Sequence, residues 1–207
     1  MTNWELSKDI FTKLKVGSFV LPKDCFNFIK DIINKKNHKY NDQLYGHMKE
    51  EYLLPSLSDS LYRFILEDCF DNEFIKEHVK KFSYLSKDKN FCVGEVWANF
   101  QKKYEFNPPH FHKGLLSFVI FVNIPYDLKK EENVFKTNVK SEYTSTSKFS
   151  FLNTESDGSI LSTCLDVDKS FEGKMIMFPA KQVHEVFPFY TSDDYRITVS
   201  GNILFNV

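Results

Sequence analysis

The order of hydrophobic and polar positions divides the chain into a helical first part and a strand-rich second part. Before residue 83, apolar side chains recur at helical spacing in three sets: Cys25, Phe28, Ile29, Ile32 and Ile33; Leu61, Phe64, Ile65 and Cys69; Phe74, Ile75, Val79 and Phe82. The spacing predicts amphipathic helices that pack on one side of a sheet.

From Phe91 onward the apolar positions alternate with a period of two, which is typical of strands. In "FCVGEVWANFQ" one strand face carries Cys92, Val96, Ala98 and Phe100, and the other carries Glu95, Trp97, Asn99 and Gln101. "LLSFVIFVN", "GKMIMFP" and "YRITVSGNILFN" predict further strands, the first of them buried on both faces. The polar stretch 126–170 predicts weaker strands and a loop.

This pattern predicts one α+β domain over residues 1–207. Residues 1–88 form a mainly helical support and residues 89–207 a sandwich or barrel of antiparallel strands. The 207-residue length and the 42% hydrophobic content agree with a single globular core.

Charge and cysteine content narrow the functional class. A net charge of −1 gives no general attraction to nucleic acid or to an anionic membrane surface, and no signal peptide or membrane span is evident. The four cysteines are widely spaced, which predicts reduced thiols in a cytoplasmic protein. Only Arg63 and Arg196 among the 27 basic residues are arginine, so a role for the planar guanidinium is possible at each, although base composition would also explain the scarcity.

The segment "NPPHFH" raises the question of a metal site. In an extended segment His110 and His112 point to the same side, so both imidazoles can face one cavity. A third ligand would have to come from elsewhere, and His184 in "KQVHEVF" is the best candidate. Each of these histidines alone is equally compatible with an ordinary loop or core position. The prolines before His110 would stiffen the segment.

The last predicted strand has one polar and one apolar face. Arg196, Thr198, Ser200 and Asn202 alternate with Ile197, Val199, Gly201 and Ile203. The polar face lies either in water or against a polar ligand. An arginine beside a hydroxyl is well suited to a carboxylate.

The order H-x-H, distal His, then Arg with a hydroxyl two residues later resembles the iron(II)- and 2-oxoglutarate-dependent oxygenases. More narrowly, "WANFQKKYEFNPPHFHKGLLSFVIFVNIP", "GKMIMFPAKQVHEVFPF" and "YRITVSGNI" resemble oxygenases of T4-like marine phages and marine bacteria that are related to prolyl 4-hydroxylases. The resemblance covers roughly residues 91–207.

This resemblance implies a double-stranded β-helix (jelly roll) braced by N-terminal helices, with the metal at the mouth of the barrel. It implies that His110, His112 and His184 bind Fe(II), and that Arg196, helped by Thr198, binds the distal carboxylate of 2-oxoglutarate. O2 would be the second co-substrate. Hydroxylation of a C–H bond of the substrate would give an alcohol, together with succinate and CO2.

The sequence departs from the wider family at the first ligand pair, which is usually H-x-D or H-x-E. Either the site has three histidines, or another group replaces His112. Glu95 is a remote candidate for a missing carboxylate, whereas Glu185 should point away from the site in an extended segment.

Further site residues follow from the strand alternation. If the polar face of the first strand looks into the barrel, Asn99 could bind 2-oxoglutarate or substrate, and Trp97 and Gln101 would line the substrate pocket. Tyr104 is a similar candidate. If that face is solvated, these residues have no such role. The segment 127–159 is either a lid over the substrate or a surface loop.

Two other classes of protein remain open at this point. A cupin-type metal enzyme also uses H-x-H and a distal histidine, but it gives Arg196 and Thr198 no task. A non-catalytic jelly-roll binding module would bind no metal. We expect a small-molecule or peptide substrate rather than nucleic acid, no membrane association, and a cytoplasmic location, in the host cell if the protein is viral. The oligomeric state cannot be predicted.

Overall fold

The computed structural model describes residues 1–36, 38–82, 91–135 and 144–205. The helices are α1 (Asn3–Leu6), α2 (Lys8–Leu14), α3 (Lys23–Ile33), α4 (Asp59–Arg63), α5 (Glu73–Lys81) and α6 (Leu128–Asn133). The strands are β1 (Gly17–Val20), β2 (His38–Lys39), β3 (Glu51–Leu53), β4 (Phe91–Gln101), β5 (Asn107–His110), β6 (Leu116–Asn123), β7 (Phe149–Thr154), β8 (Ile160–Leu165), β9 (Lys174–Pro179), β10 (His184–Val186) and β11 (Arg196–Phe205).

Within the described residues the strands form two antiparallel sheets. The larger sheet has the order β1-β9-β6-β11-β4-β3-β2, and the smaller has the order β5-β10-β7-β8. Strands distant in sequence are neighbours in both sheets, as β11 between β4 and β6 shows. The two sheets face each other and form the double-stranded β-helix predicted from the sequence.

Helices α3, α4 and α5 cover the outer face of the larger sheet. The predicted stripes of α3 and α4 are buried, with Ile29, Leu61 and Ile65 among the least exposed side chains, and they join the core cluster that contains Ala98 and Val199. Ser58 caps α4 by accepting a hydrogen bond from the Leu61 N–H. A turn of π-helix (Phe64–Asp68) and one of 3-10 helix (Cys69–Asp71) continue α4. No helix among the described residues has the length and apolar character needed to cross a membrane.

A second core lies between the two sheets. Its aromatic side chains come from the inner faces of both sheets, and the fully buried ones include Phe121, Phe151 and Phe178. Phe151 and Phe178 pack edge to face with 5.1 Å between ring centroids. This core closes one end of the barrel and leaves the other end for the site described below.

The structure adds two features to the predicted topology. The first third of the chain is not only helical, because β1, β2 and β3 extend the larger sheet at both edges. The sequence left both a lid and a surface loop open for the segment 127–159, and the last part of this segment contains a strand instead. There β7 lies in the smaller sheet between β8 and β10, with Phe149 and Phe151 buried in the core. Residues 136–143 of that segment lie outside the described residues.

A close approach at Gly201 gives a stability prediction. A Cβ atom there would lie 2.5 Å from the Cζ of Phe118 and 3.0 Å from a methyl group of Val96, in the core beneath the helices. Gly201→Ala should therefore lower the free energy of unfolding by about 1–3 kcal/mol, measured by urea denaturation. Gly94→Ala on the neighbouring strand meets the flexible end of Leu204 and should cost less. Equal costs for the two variants would contradict the expected overpacking.

Candidate active site

The open end of the barrel contains a cavity between the two sheets. Its polar lining comes from β4, β5, β6, β10, β11 and the residue His112 after β5: Asn99, Gln101, Asn107, His110, His112, Ser117, His184, Arg196, Thr198 and Ser200. The apolar lining consists of Met48, Trp97, Phe118, Val119, Phe149, Phe178 and Val186. The strand face whose environment was open from the sequence is thus the inner face of the barrel.

Three histidines meet in this cavity. The candidate ligand atoms of His110, His112 and His184 all lie within 4.8 Å of one another. His110 ends β5 and pairs directly across the ladder with His184 on β10, and their ring centroids are 4.3 Å apart. His112 follows the strand, and its backbone N–H donates to the Ala180 oxygen at 2.8 Å. The cluster that the sequence predicted is therefore formed by the fold.

Backbone carbonyls orient two of the three rings. The Nδ1 of His110 lies 2.7 Å from the Pro108 oxygen, and the Nδ1 of His184 lies 3.0 Å from the Gln182 oxygen. A carbonyl only accepts hydrogen bonds, so each Nδ1 carries the proton and each Nε2 keeps its lone pair for a metal. The ring of His184 also stacks on Phe149, with an angle of 11° between the planes.

The environment keeps these imidazoles neutral. Burial lowers the pKa of His110, and burial together with the neighbouring His110 lowers the pKa of His112 to about 4. Burial lowers the pKa of His184 well below its usual value. Neutral imidazole is the form that binds a metal ion, so the donor set fits a divalent metal at ordinary pH.

Arg196 lies in the same cavity. It begins β11, is only 2% exposed, and donates from Nη1 to the Ser147 oxygen at 2.9 Å. Among the described residues its Nε is buried without a hydrogen-bond partner, and no carboxylate forms an ion pair with it. A buried guanidinium normally has an anionic partner, and a bound anion would supply one here.

Asn99 connects the arginine strand to β4. Its Nδ2 donates to Thr198 Oγ1 at 3.1 Å and to Ser200 Oγ at 3.2 Å, and its Oδ1 is buried without a partner. Trp97 lies beside His112, with 5.6 Å between ring centroids. Gln101 donates to the oxygens of Glu105 and Phe187, so its amide also fixes the cavity wall.

No carboxylate joins the three histidines in the described part of the chain. Glu95 is exposed, and its carboxylate accepts a hydrogen bond from the Tyr40 hydroxyl. Glu185 lies opposite Ser150 on β7 and is not among the cavity residues, as the alternation predicted. Neither residue therefore replaces the missing carboxylate, and the cluster consists of three histidines.

One residue predicted from the sequence, Tyr104, lies outside the cavity, and the residues Tyr45 and Met48 beside the histidines were not predicted. Tyr104 is 62% exposed, packs on Tyr190 and does not line the cavity. Met48 lines the cavity, and Tyr45 stacks near His110. Both come from an irregular segment without strand or helix periodicity, so no pattern pointed to them.

Comparison with known proteins identifies the family. Residues 95–202, more than half of the chain, match the family profile described as "Putative 2OG-Fe(II) oxygenase". The chain belongs to this oxygenase family. Its members use Fe(II), 2-oxoglutarate and O2, and the three histidines fit the iron. None of the curated proteins matches the sequence significantly.

Solved structures confirm the fold of this oxygenase. A prolyl-4-hydroxylase from Pseudomonas putida aligns with a TM-score of 0.53 at 11% identity, over 96% of this chain and 97% of its own. An oxidoreductase of the 2OG-Fe(II) oxygenase family from Burkholderia pseudomallei aligns with a TM-score of 0.51 at 10% identity, over 99% of this chain and 91% of its own. At such identities the likeness extends to the fold alone.

Proposed function

We propose that this oxygenase is a hydroxylase in which His110, His112 and His184 hold Fe(II) and Arg196 binds the distal carboxylate of 2-oxoglutarate. The observation that carries the proposal is the presence of a metal-binding group and an anion-binding group in one cavity. The histidine cluster offers Nε2 lone pairs to a metal, and the buried Nε of Arg196, which has no hydrogen-bond partner in the described part of the chain, offers a donor to an anion. A metal and a dicarboxylate satisfy both.

When bound, iron supplies the oxidative decarboxylation of 2-oxoglutarate: R–H + 2-oxoglutarate + O2 gives R–OH + succinate + CO2. The protein side chains orient the reactants. Two backbone carbonyls fix the rings of His110 and His184, and burial keeps both imidazoles neutral. Thr198 lies two residues from Arg196 on the same strand face and would add a hydroxyl donor to the carboxylate.

Asn99 is proposed to contact 2-oxoglutarate. It lies across the ladder from Thr198, holds that hydroxyl in place, and keeps its own Oδ1 unpartnered in the cavity. Trp97 and Gln101 wall the same space, and we propose that they limit the substrate that enters. Tyr104 is not part of this proposal because it lies outside the cavity lining.

The charge of the lining bears on the substrate. Arg196 is the one Lys or Arg residue of the cavity lining in the described part of the chain, and that lining contains no Asp or Glu. With Arg196 assigned to 2-oxoglutarate, a charged substrate group would lose its hydration without gaining a counterion. We therefore propose an uncharged aliphatic group, on a peptide or a small molecule, as the site of hydroxylation. The narrower kinship to phage and marine-bacterial oxygenases stays a prediction.

Thermal denaturation under anaerobic conditions tests this function. Mn(II) or Fe(II) should raise the melting temperature of the apoprotein, and 2-oxoglutarate should raise it further only when metal is present. A ligand that binds only the folded state stabilises it by about 2.7 kcal/mol at a concentration of a hundred times its Kd. Succinate, which lacks the 2-oxo group, is the matched control ligand and should give a smaller second shift.

The outcomes separate the proposed function from its alternatives. A metal shift with no response to 2-oxoglutarate would contradict the co-substrate assignment and favour a cupin-type enzyme. No shift with metal would leave a jelly-roll binding module.

A further inference from the structure

The segment Tyr40–Met48, called the strap below, lies along the open side of the cavity and outside the part that matches the family profile. Met48 lines the cavity, and the ring of Tyr45 stacks near His110 with 6.2 Å between centroids and 29° between planes. Tyr45 is nevertheless 71% exposed. An exposed aromatic ring beside a candidate metal ligand is placed to contact whatever enters the cavity.

The strap spans the gap between the two sheets. At its start, the Tyr40 ring lies 6.3 Å from the ring of Trp97 on β4. Near its end, the His47 N–H donates to the Phe106 oxygen at 2.9 Å, just before β5, and the two rings are 4.6 Å apart. The strap therefore closes the side of the barrel on which the edges of both sheets are open.

Glu51, a buried residue of β3, holds the strap through hydrogen bonds of its side chain and its backbone. Asn41 Nδ2 donates to the Met48 oxygen at 2.7 Å and to Glu51 Oε2 at 3.2 Å, and the Glu51 N–H donates back to Asn41 Oδ1 at 3.3 Å. The Tyr40 N–H donates to the backbone carbonyl oxygen of Glu51 at 2.8 Å. Gly46 lies so close that a Cβ there would be 2.8 Å from Glu51 Oε1.

Glu51 is unusual for an acidic residue. It is 1% exposed, and its Oε1 has no hydrogen-bond partner. On β3 it lies across the ladder from Asn99, on the strand face that looks into the barrel. A buried carboxylate without a counterion is costly, so this position favours the neutral acid.

We propose that the strap is the substrate-facing wall of the active site, with Tyr45 and Met48 in contact with substrate, and that Glu51 is the residue that positions it. The contact with substrate rests on the proposed function. The link between Glu51 and the strap does not, so the two parts are tested separately.

The protonation state of Glu51 determines how the opening of the strap should depend on pH. Burial, and after it the charge of Glu105, raises the pKa of Glu51 to about 7 from 4.5. Other ionisable side chains on the elements around it include those of His38, Lys39, Tyr40, Asp42, Tyr45, His47, Lys49, Glu50, Tyr52, Glu95, Lys102 and Lys103. When the strap opens, Glu51 reaches water and regains its ordinary pKa, so ionisation favours the open strap. Because Glu51 has a pKa of about 7 under the closed strap and of 4.5 in water, raising the pH stabilises the open state relative to the closed one. The open fraction should therefore rise about ten-fold between pH 6 and pH 8.

Hydrogen exchange measured by mass spectrometry at pH 6 and pH 8 tests the role of Glu51, once the rates are corrected for the intrinsic pH dependence of amide exchange. Peptides covering the strap should show the ten-fold rise in the wild type and no rise in Glu51→Gln, which cannot ionise. Glu50→Gln is the matched control, because the Glu50 carboxylate faces Lys36 and should leave the rise unchanged. An equal rise in Glu51→Gln and the wild type, or no rise in either, would overturn the role of Glu51. If Glu51→Gln does not fold, the wild-type profile still tests the role of Glu51, because the absence of a rise between pH 6 and pH 8 would overturn it.

The removal of Co(II) by EDTA tests whether the strap covers the site. At pH 6, where the strap is closed, Tyr45→Ala should release Co(II) several-fold faster than the wild type. Tyr104→Ala removes an equally exposed ring away from the cavity and should not change the rate. An unchanged rate in Tyr45→Ala would overturn the strap as a wall of the site. A protein that takes up no Co(II) would refute the proposed function and leave the result on Glu51 standing.

Discussion

Arg196→Ala should abolish the binding of 2-oxoglutarate and leave metal binding intact. Removing one partner of a buried, hydrogen-bonded charge pair costs about 3–5 kcal/mol, so the affinity for 2-oxoglutarate should fall at least a hundred-fold. Calorimetric titration of 2-oxoglutarate into the Mn(II)-loaded protein under anaerobic conditions measures the loss. Arg196 is not part of the histidine cluster, so the metal-induced rise in melting temperature should persist.

The chain offers a matched control, because it contains only one other arginine. Arg63 lies at the end of α4, and Arg63→Ala should change neither the 2-oxoglutarate titration nor the metal-induced rise in melting temperature. Arg196→Lys keeps the charge but loses the planar fork, and it should bind 2-oxoglutarate with an affinity between those of the wild type and Arg196→Ala. Undiminished binding of 2-oxoglutarate to Arg196→Ala would show that another group holds its distal carboxylate.

His184→Ala should lose the metal, and with it the binding of 2-oxoglutarate. Loss of a residue that merely orients a metal ligand costs 10–100-fold in affinity, so loss of the ligand itself should exceed about 100-fold. Equilibrium titration with Co(II), followed by its visible absorption, measures the affinity. His38→Ala, an exposed histidine on β2, should bind Co(II) as the wild type does.

His112 allows a sharper comparison at the position where the family usually has a carboxylate. His112→Asp restores a negatively charged ligand and should retain metal binding, whereas His112→Ala should weaken it. Equal affinities in His112→Ala and the wild type would show that His112 is not a ligand and that the site has only two protein donors.

The sequence predicted the parts of the site that lie on long, regular strands. Period-two alternation placed Trp97, Asn99 and Gln101 on one face of β4 and Arg196 and Thr198 on one face of β11. Alternation alone could not say whether those faces meet water or a cavity. That depends on which strands pair, and β4 and β11 are about a hundred residues apart.

The strap, β1 and β3 could not be predicted for a related reason. Strands of three or four residues carry too few positions to show a period, and their stability comes from pairing with distant partners such as β9 and β4. Glu51 gave no signal either, because its burial depends on the strap folding back over β3 and on the pairing of β3 with β4. Helix α4, in contrast, has both an apolar stripe and the Ser58 cap, and both features can be read from the sequence.

Two of the three metal-binding candidates occupy one rung of the β5–β10 ladder, where His110 faces His184. Because side chains alternate across a strand, a shift of one residue in β10 would turn the His184 ring out of the cavity. Chain length just before His184 is therefore constrained as tightly as residue identity. The exposed turn between β7 and β8, with Gly158 at its tip, is under no such constraint. Natural insertions and deletions among relatives should accumulate at that turn and be absent between Ala180 and His184.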